Sequence, residues 1–261
     1  MDVVITTLAE RPELAGPLRR MPAGWPEFVQ HDPVNRDLFA LLATTFPEFT
    51  LVATDPGGQV AARAHSVPFA LAAPGRATLP DGGWAQVMTW AFADELGAAP
   101  ARGEAAGPDA AGLAAAADTV SAIEVAVRPD LRGAGLSGAM LRAMRENAAP
   151  RGLVAPVRPT GKHLEPATPM AEYAFRTRGD GLPADPWLRT HVRAGGVIES
   201  IAPASMTVAG SLARWRSWTG LPFDADGWVE VPGALVPVRC AVAHDHAVYV
   251  EPNVWIRHPA G

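Results

Sequence analysis

At 261 residues the chain is long enough to bury a full hydrophobic core, in one large domain or two small ones. With 48% apolar and 19% charged residues it fits neither the disordered nor the fibrous class, and 22 Lys and Arg against 27 Asp and Glu leave a net charge of −5 that argues against a chain built to grip a nucleic-acid backbone. A single cysteine, Cys240, excludes an internal disulfide framework and a multi-cysteine zinc site. The opening MDVVITTLAERPELAG has no basic stretch followed by an apolar one, and no apolar run approaches the ~20 residues that span a bilayer. The expectation is a cytoplasmic protein with no membrane and no nucleic-acid partner.

From 25 to 49 proline breaks alternate with short helical pieces rich in aromatic residues, a cap over one side of the molecule. Trp25, Phe28, Phe39, Phe46, Phe49 and, further on, Trp84 either line a roomy apolar pocket or belong to the core. FTLVAT, the turn Asp55-Pro56-Gly57-Gly58 and QVAARAHSVPFAL read as a β-hairpin. Residues 84–96 carry Trp84, Val87, Met88, Ala91 and Phe92 at helical spacing, with the apolar stripe toward the sheet. Residues 97–118 hold 11 alanines, 4 glycines and 2 prolines, too little side-chain surface to offset their ordering entropy. They predict a mobile insertion, or at most a short exposed helix at 110–117.

TVSAIEVAVRP comes next in the chain, alternating Ile123, Val125 and Val127 with Glu124, Ala126 and Arg128, the period of a strand. Pro129 stops it. A glycine-rich turn, 132–138, then leads into LSGAMLRAMRENA, where Leu136, Met140 and Met144 recur every four residues. Such a loop gathers unpaired backbone N–H groups at the positive end of a helix dipole and binds phosphate oxygens without a lysine. Between Arg128 and Arg158 six arginines face only Asp130 and Glu146, so an anionic ligand is implied unless the arginines simply solvate a helix face. Gly133-x-Gly135-x-x-Gly138 matches the dinucleotide fingerprint literally, but four residues part the strand from its first glycine and nothing upstream reads as a βαβ array.

Further on come a strand at 153–157, a Pro-rich loop with Arg158, Thr160, Lys162 and His163, and a helix in PWLRTHVRAGG. The last third alternates β-rich runs around SLARWRSWTG. His244-Asp245-His246 between two of these runs reads as a hairpin turn sooner than a metal pair, since no third ligand lies near in sequence. Trp215, Trp218 and Trp228 read as core, and Ser137 in GLSGA lacks the glycine spacing of a hydrolase nucleophile.

The segment EVAVRPDLRGAGLSGAMLRAM resembles the signature of the GCN5-related N-acetyltransferases: a strand ending in Pro, then Arg/Gln-x-x-Gly-x-Gly/Ala opening a helix. Arg132, Gly135 and Ser137 stand on the three defining positions. Ser137 replaces the usual Gly or Ala, still offers its amide, and is a candidate helix cap. The order of elements agrees over about the middle half of the chain.

The resemblance implies an α/β fold, a single acyltransferase domain over 1–261 with a mixed, largely antiparallel central sheet flanked by helices. It implies acetyl-CoA or another acyl-CoA as co-substrate, no metal, and acyl transfer, acetyl above all, to a small-molecule amine; a homodimer is admitted. Val125, Ala126 and Val127 would offer backbone groups to the pantetheine, while Arg132, Gly133, Ala134, Gly135, Leu136 and Ser137 wrap the diphosphate. The amine must lose a proton before it attacks, and Glu124, on the strand face opposite Ile123 and Val125, is the expected base. Laying the family's Tyr-x-x-Leu-Gly-Phe on 191–196 puts His191 at the place of the acid that protonates the departing thiolate, with Tyr173 in MAEYAF as its rival. The asparagine often found after the fifth strand is not evident, so the acceptor site is expected to differ from commoner members. The alternatives are a non-catalytic acyl-CoA-binding domain, or a transferase drawing on a carrier-protein thioester or an aminoacyl-tRNA.

Overall fold

The computed structural model describes residues 2–22, 24–96 and 116–260, so most of the expected insertion at 97–118 lies outside the described residues. Its frame is a sheet of β1 (Val4–Thr7), β2 (Thr50–Thr54), β3 (Val60–Phe69), β4 (Thr119–Val127), β5 (Gly152–Val157), β6 (Val197–Gly210), β7 (Gly227–Val229), β8 (Val238–Ala241) and β9 (His246–His258). The spatial order is β1-β2-β3-β4-β5-β9-β8-β7, with β6 on β9. Among the described strands only β4 and β5 run parallel; every other pair is antiparallel. The α/β fold is therefore the mixed, largely antiparallel one expected. β1 was not foreseen: four residues give too short a pattern to register.

Among the described residues eight α-helices cover this frame: α1 (Ala15–Arg20), α2 (Pro33–Leu38), α3 (Leu42–Thr45), α4 (Gly83–Glu95), α5 (Leu136–Ala148), α6 (Met170–Ala174), α7 (Pro186–Arg193) and α8 (Leu212–Thr219). α4 buries Trp84, Val87, Met88, Ala91 and Phe92 on one side of the sheet, in a core shared with the aromatic cap. α5 buries Met140, Leu141 and Met144 on the other, against Ala62 and Ala64 of β3. The expected hairpin is β2–β3, closed by Asp55, whose carboxylate accepts from the amides of Gly57 and Gln59. Asp118, at the end of the alanine-rich segment, accepts from the amides of Leu71 and Ala72 and so pins the entry to β4. No described helix is long and apolar enough to cross a membrane.

The sheet is interrupted at two places. β4 and β5 pair only from Thr119 to Ser121, and beyond that point the β5-side edge of β4 has no described strand beside it. β9 pairs along one edge with β6, so β5, at Val254 to His258, and β8, at His246 to Val248, share its other edge and leave 249–253 between them unpaired. Opposite Pro252, which has no amide to donate, β6 bulges over 203–205.

His244-Asp245-His246 is a turn between β8 and β9 with Asp245 in the left-handed region. Trp215 is fully buried, but Trp228 is 71% exposed with Arg239 lying over its ring, which corrects its placement in the core.

Candidate active site

Where β4 parts from β5 a cleft of ≈ 800 Å³ opens. Its first wall is the free edge of β4. The Arg128 amide donates to Ala61 at 2.9 Å, so hydrogen-bonded pairs alternate down the β3–β4 ladder at Arg128, Ala126 and Glu124. The amides and carbonyls of Val125 and Val127 consequently point away from β3, into the cleft, whereas Ala126 turns its own to Arg63. Ile123 is the extra residue of a β-bulge between the His65 and Ser66 pairs, and its carbonyl accepts from the Trp84 indole at 3.0 Å.

That wall runs into the glycine loop. Gly133 (φ +84°) and Gly135 (φ +79°) hold left-handed backbone, and a Cβ built on either meets nothing within 4 Å, so open space fronts the loop. Gly135 is the N-cap of α5, with no side chain capping the helix and no carboxylate in its first turn. Ser137 lies inside the helix and does not cap it. Arg132 is exposed at the mouth. Bare amides, a helix dipole and a cationic side chain at one point suit a diphosphate. Val125, Ala126, Val127, Arg132, Gly133, Gly135, Leu136 and Ser137 all line the cleft; Ala134 is exposed beside it.

Glu124 also lines it, but it is buried and held by both oxygens: Arg63 Nε donates to Oε2 at 2.8 Å and Nη2 to Oε1 at 3.1 Å. Arg63 in turn donates from Nη1 to the carbonyls of Leu18 and Met21. His65 Nε2 stands 3.9 Å from Glu124 Oε2, and burial pushes this imidazole down to about 4, leaving it neutral at physiological pH.

His191, on α7, reaches the cleft too. Its Nδ1 lies 3.0 Å from His258 Nε2 and Trp187 packs edge-on against its ring. Burial, and then the neighbouring His258, push it down to about 3, so at neutral pH it offers an imidazole N–H and no surplus proton. Tyr173 stands apart from the cleft lining. Its hydroxyl donates to Asp185 Oδ2 at 2.9 Å, and the same carboxylate accepts from the Gly161 amide and caps α7 through the amides of Trp187 and Leu188. Burial and Asp185 raise the phenol's pKa.

The opposite wall was only partly legible in the sequence, through Arg158 and the aromatic residues. Trp25 and Trp84 meet edge to face at 5.5 Å, followed by Met206, Asn253, Glu251, Gly233 and Arg158. One hydrogen-bonded chain runs from Gly233 through Arg158, Glu251, Asn253 and Ser205 to Trp84. Arg158 Nε donates to both Glu251 oxygens at 3.1 Å, Asn253 Nδ2 to Glu251 Oε1 at 3.2 Å, Ser205 Oγ to Asn253 Oδ1, and the Trp84 amide to Ser205 Oγ at 2.8 Å. No cluster of metal-ligating side chains occurs among the described residues.

The chain matches none of the known protein-family models. It is 32% identical to the arginine N-acetyltransferase avaD of Aspergillus versicolor, across 98% of this chain and 93% of that protein. Among solved structures, the loading GNATL domain of CurA from Lyngbya majuscula superposes with a TM-score of 0.58 at 16% identity, over 100% of this chain and 98% of that one. The GphF GNAT-like decarboxylase in complex with isobutyryl-CoA superposes at 0.55 and 15%, over 100% of both chains. At such identities these two likenesses are of fold alone.

Proposed function

We infer the function from one premise: the chain belongs to the GCN5-related N-acetyltransferase superfamily. It is an acyl-CoA-dependent N-acyltransferase, moving an acyl group from a thioester to an amine. We assign acetyl as the group and a small basic amino acid of the arginine type as the acceptor. The acceptor assignment is supported by the substrate named for the fungal relative and by the half-buried Trp25 indole on the cleft wall, an aromatic surface that suits a cation. Of arginine's nitrogens the α-amine is then the nucleophile, because a guanidinium stays protonated and has no free lone pair.

The carrying observation is the free edge of β4 running into the uncapped N-terminus of α5. Bound acyl-CoA supplies an activated thioester. Val125 and Val127 hold its amide-bearing arm as a strand would be held, and the loop amides with Arg132 hold the diphosphate. Glu124, fixed by Arg63, accepts the amine's proton on a lone pair that Arg63 leaves free, directly or through water. His191, held through Nδ1 to His258, is the group we assign to protonate the departing sulfur, in the tautomer that carries its proton on Nε2.

Calorimetry with CoA tests the assignment. Gly135→Val demands left-handed backbone of a β-branched residue and obstructs the approach to the amides, so CoA binding is lost; Arg132→Ala costs only a charge contact, roughly 1.5 to 3 kcal/mol. Undiminished affinity in folded Gly135→Val removes the CoA site from this loop.

A further inference from the structure

On the free stretch of β9, Tyr249, Glu251 and Asn253 lie two residues apart and so share one face. Glu251 is fully buried, yet every contact it makes holds a neighbour in place: Tyr249 hydroxyl donates to Oε2 at 2.7 Å, Asn253 to Oε1, and Arg158 Nε to both. Arg158 Nη2 donates to the Gly233 carbonyl and the guanidinium also lies against the Tyr249 hydroxyl, while no hydrogen bond joins Nη1 to a described residue. The Arg158 side chain keeps a quarter of its surface exposed, and the residue lines the cleft. A guanidinium fixed along one side, in a residue that lines a substrate cavity and with one N–H pair left unbonded, is a preorganised receptor for an anion. Gly233 also joins it to the indole wall, since a Cβ there would stand 3.0 Å from Pro26, the residue after Trp25. Cation recognition and anion recognition thus occupy one continuous wall.

We propose that Arg158 binds the α-carboxylate of the acceptor, so that the enzyme acts on free amino acids and discriminates against the matching amines and amides. This rests on the N-acyltransferase reading. Glu251 is a positioning residue that aims Arg158.

The experiment is steady-state acetylation by the full chain of L-arginine against agmatine, L-lysine against cadaverine, and L-arginine against L-argininamide, by wild type, Arg158→Gln and Arg158→Lys. Wild type is expected to prefer each carboxylate-bearing partner by ~10 to 100-fold in kcat/KM, read mainly in KM, the value of a charge-assisted hydrogen bond. Arg158→Gln brings that ratio to near unity, and Arg158→Lys restores part of it. A variant that keeps the wild-type ratio overturns the proposal. Should Arg158→Gln fail to fold with Glu251 left unpaired, Arg158→Gln combined with Glu251→Gln carries the same test. A wild type that acetylates agmatine as well as arginine overturns the carboxylate contact alone. A wild type that acetylates no amine removes the transferase reading and this proposal with it.

Discussion

Glu124 gives both oxygens to Arg63, and that pairing ties its chemistry to the stability of the sheet. Glu124→Gln leaves a buried guanidinium without its countercharge, a loss of up to roughly 3 to 5 kcal/mol of stability. The catalytic effect is separable by pH: kcat/KM falls ~10²-fold at neutral pH, and the deficit shrinks as alkaline buffer deprotonates the amine unaided. Equal activity at neutral pH would exclude Glu124 as the base. His191→Ala is expected to lower kcat about tenfold without changing the shape of the pH profile, because a ring already neutral loses no ionisation in this range. An ionisation near pH 7 that disappears in His191→Ala contradicts that. Tyr173→Phe, which frees Asp185 from one of its donors, should lower Tm and leave the profile alone. Glu124's strand and its side relative to Val125 were legible from alternation, but its placing opposite Ile123 was not correct, because the bulge at Ile123 turns that side chain to the same side of the sheet as Glu124. Arg63 was not, since it sits 61 residues upstream and nothing local announces the pairing; nor was the burial that makes His191 neutral.

The glycine loop and α5 were legible for the opposite reason: their work is done by backbone, and glycine and proline spacing reports backbone directly. The bulge in β6 has no such signature. It swings Ser205 under the first turn of α4, where Gly83 (φ +43°) leaves so little room that a Cβ would fall on the Ser205 hydroxyl and 2.9 Å from its Cα. Gly83→Ala is therefore expected to destabilise by about 1 to 3 kcal/mol, through strained backbone and a displaced Ser205. The acceptor KM should rise as well, because Ser205 links Trp84 to Asn253. A denaturation midpoint and KM equal to wild type would show that α4 shifts freely over the sheet. The pairing of β9 with β8 was legible through the turn at 244–246, but its pairing with β6 and β5 was not, since those partners lie 37 to 105 residues upstream.

For the molecule as a whole, three neutral histidines set the response to acid. His65 is pushed to about 4, His191 to about 3 and His258 to about 4, each by burial first. All lie below the ~6.5 of an unfolded chain, so the unfolded state takes up protons first. Their contribution is fully present above pH ~6.5 and is lost as pH falls toward about 4, by up to ~1.4 kcal/mol per pH unit and ring, with His191 and His258 counted as one coupled pair. Asp32, whose carboxyl is raised by burial, opposes this weakly. Tm at pH 4.5 should lie roughly 10 °C or more below that at pH 7, and His65→Gln should flatten the slope. A Tm constant over that range would mean the rings are hydrated in the folded state.

An unpaired strand edge is ordinarily an invitation to any other strand, and so to aggregation. In this fold the six residues from Ala122 to Val127 leave theirs at the bottom of a notch, between the Trp25–Pro26 loop and α5. A polypeptide entering it would have to seat a side chain at every second residue, up or down, against Trp84 on one face and Leu141 on the other. An unbranched chain that carries amides but no side chains meets no such obstacle. The notch therefore sorts guests by their width: it admits a strand's hydrogen bonding and refuses a strand's bulk, so on the proposed assignment one opening both receives the co-substrate and keeps the strand edge from pairing with another chain.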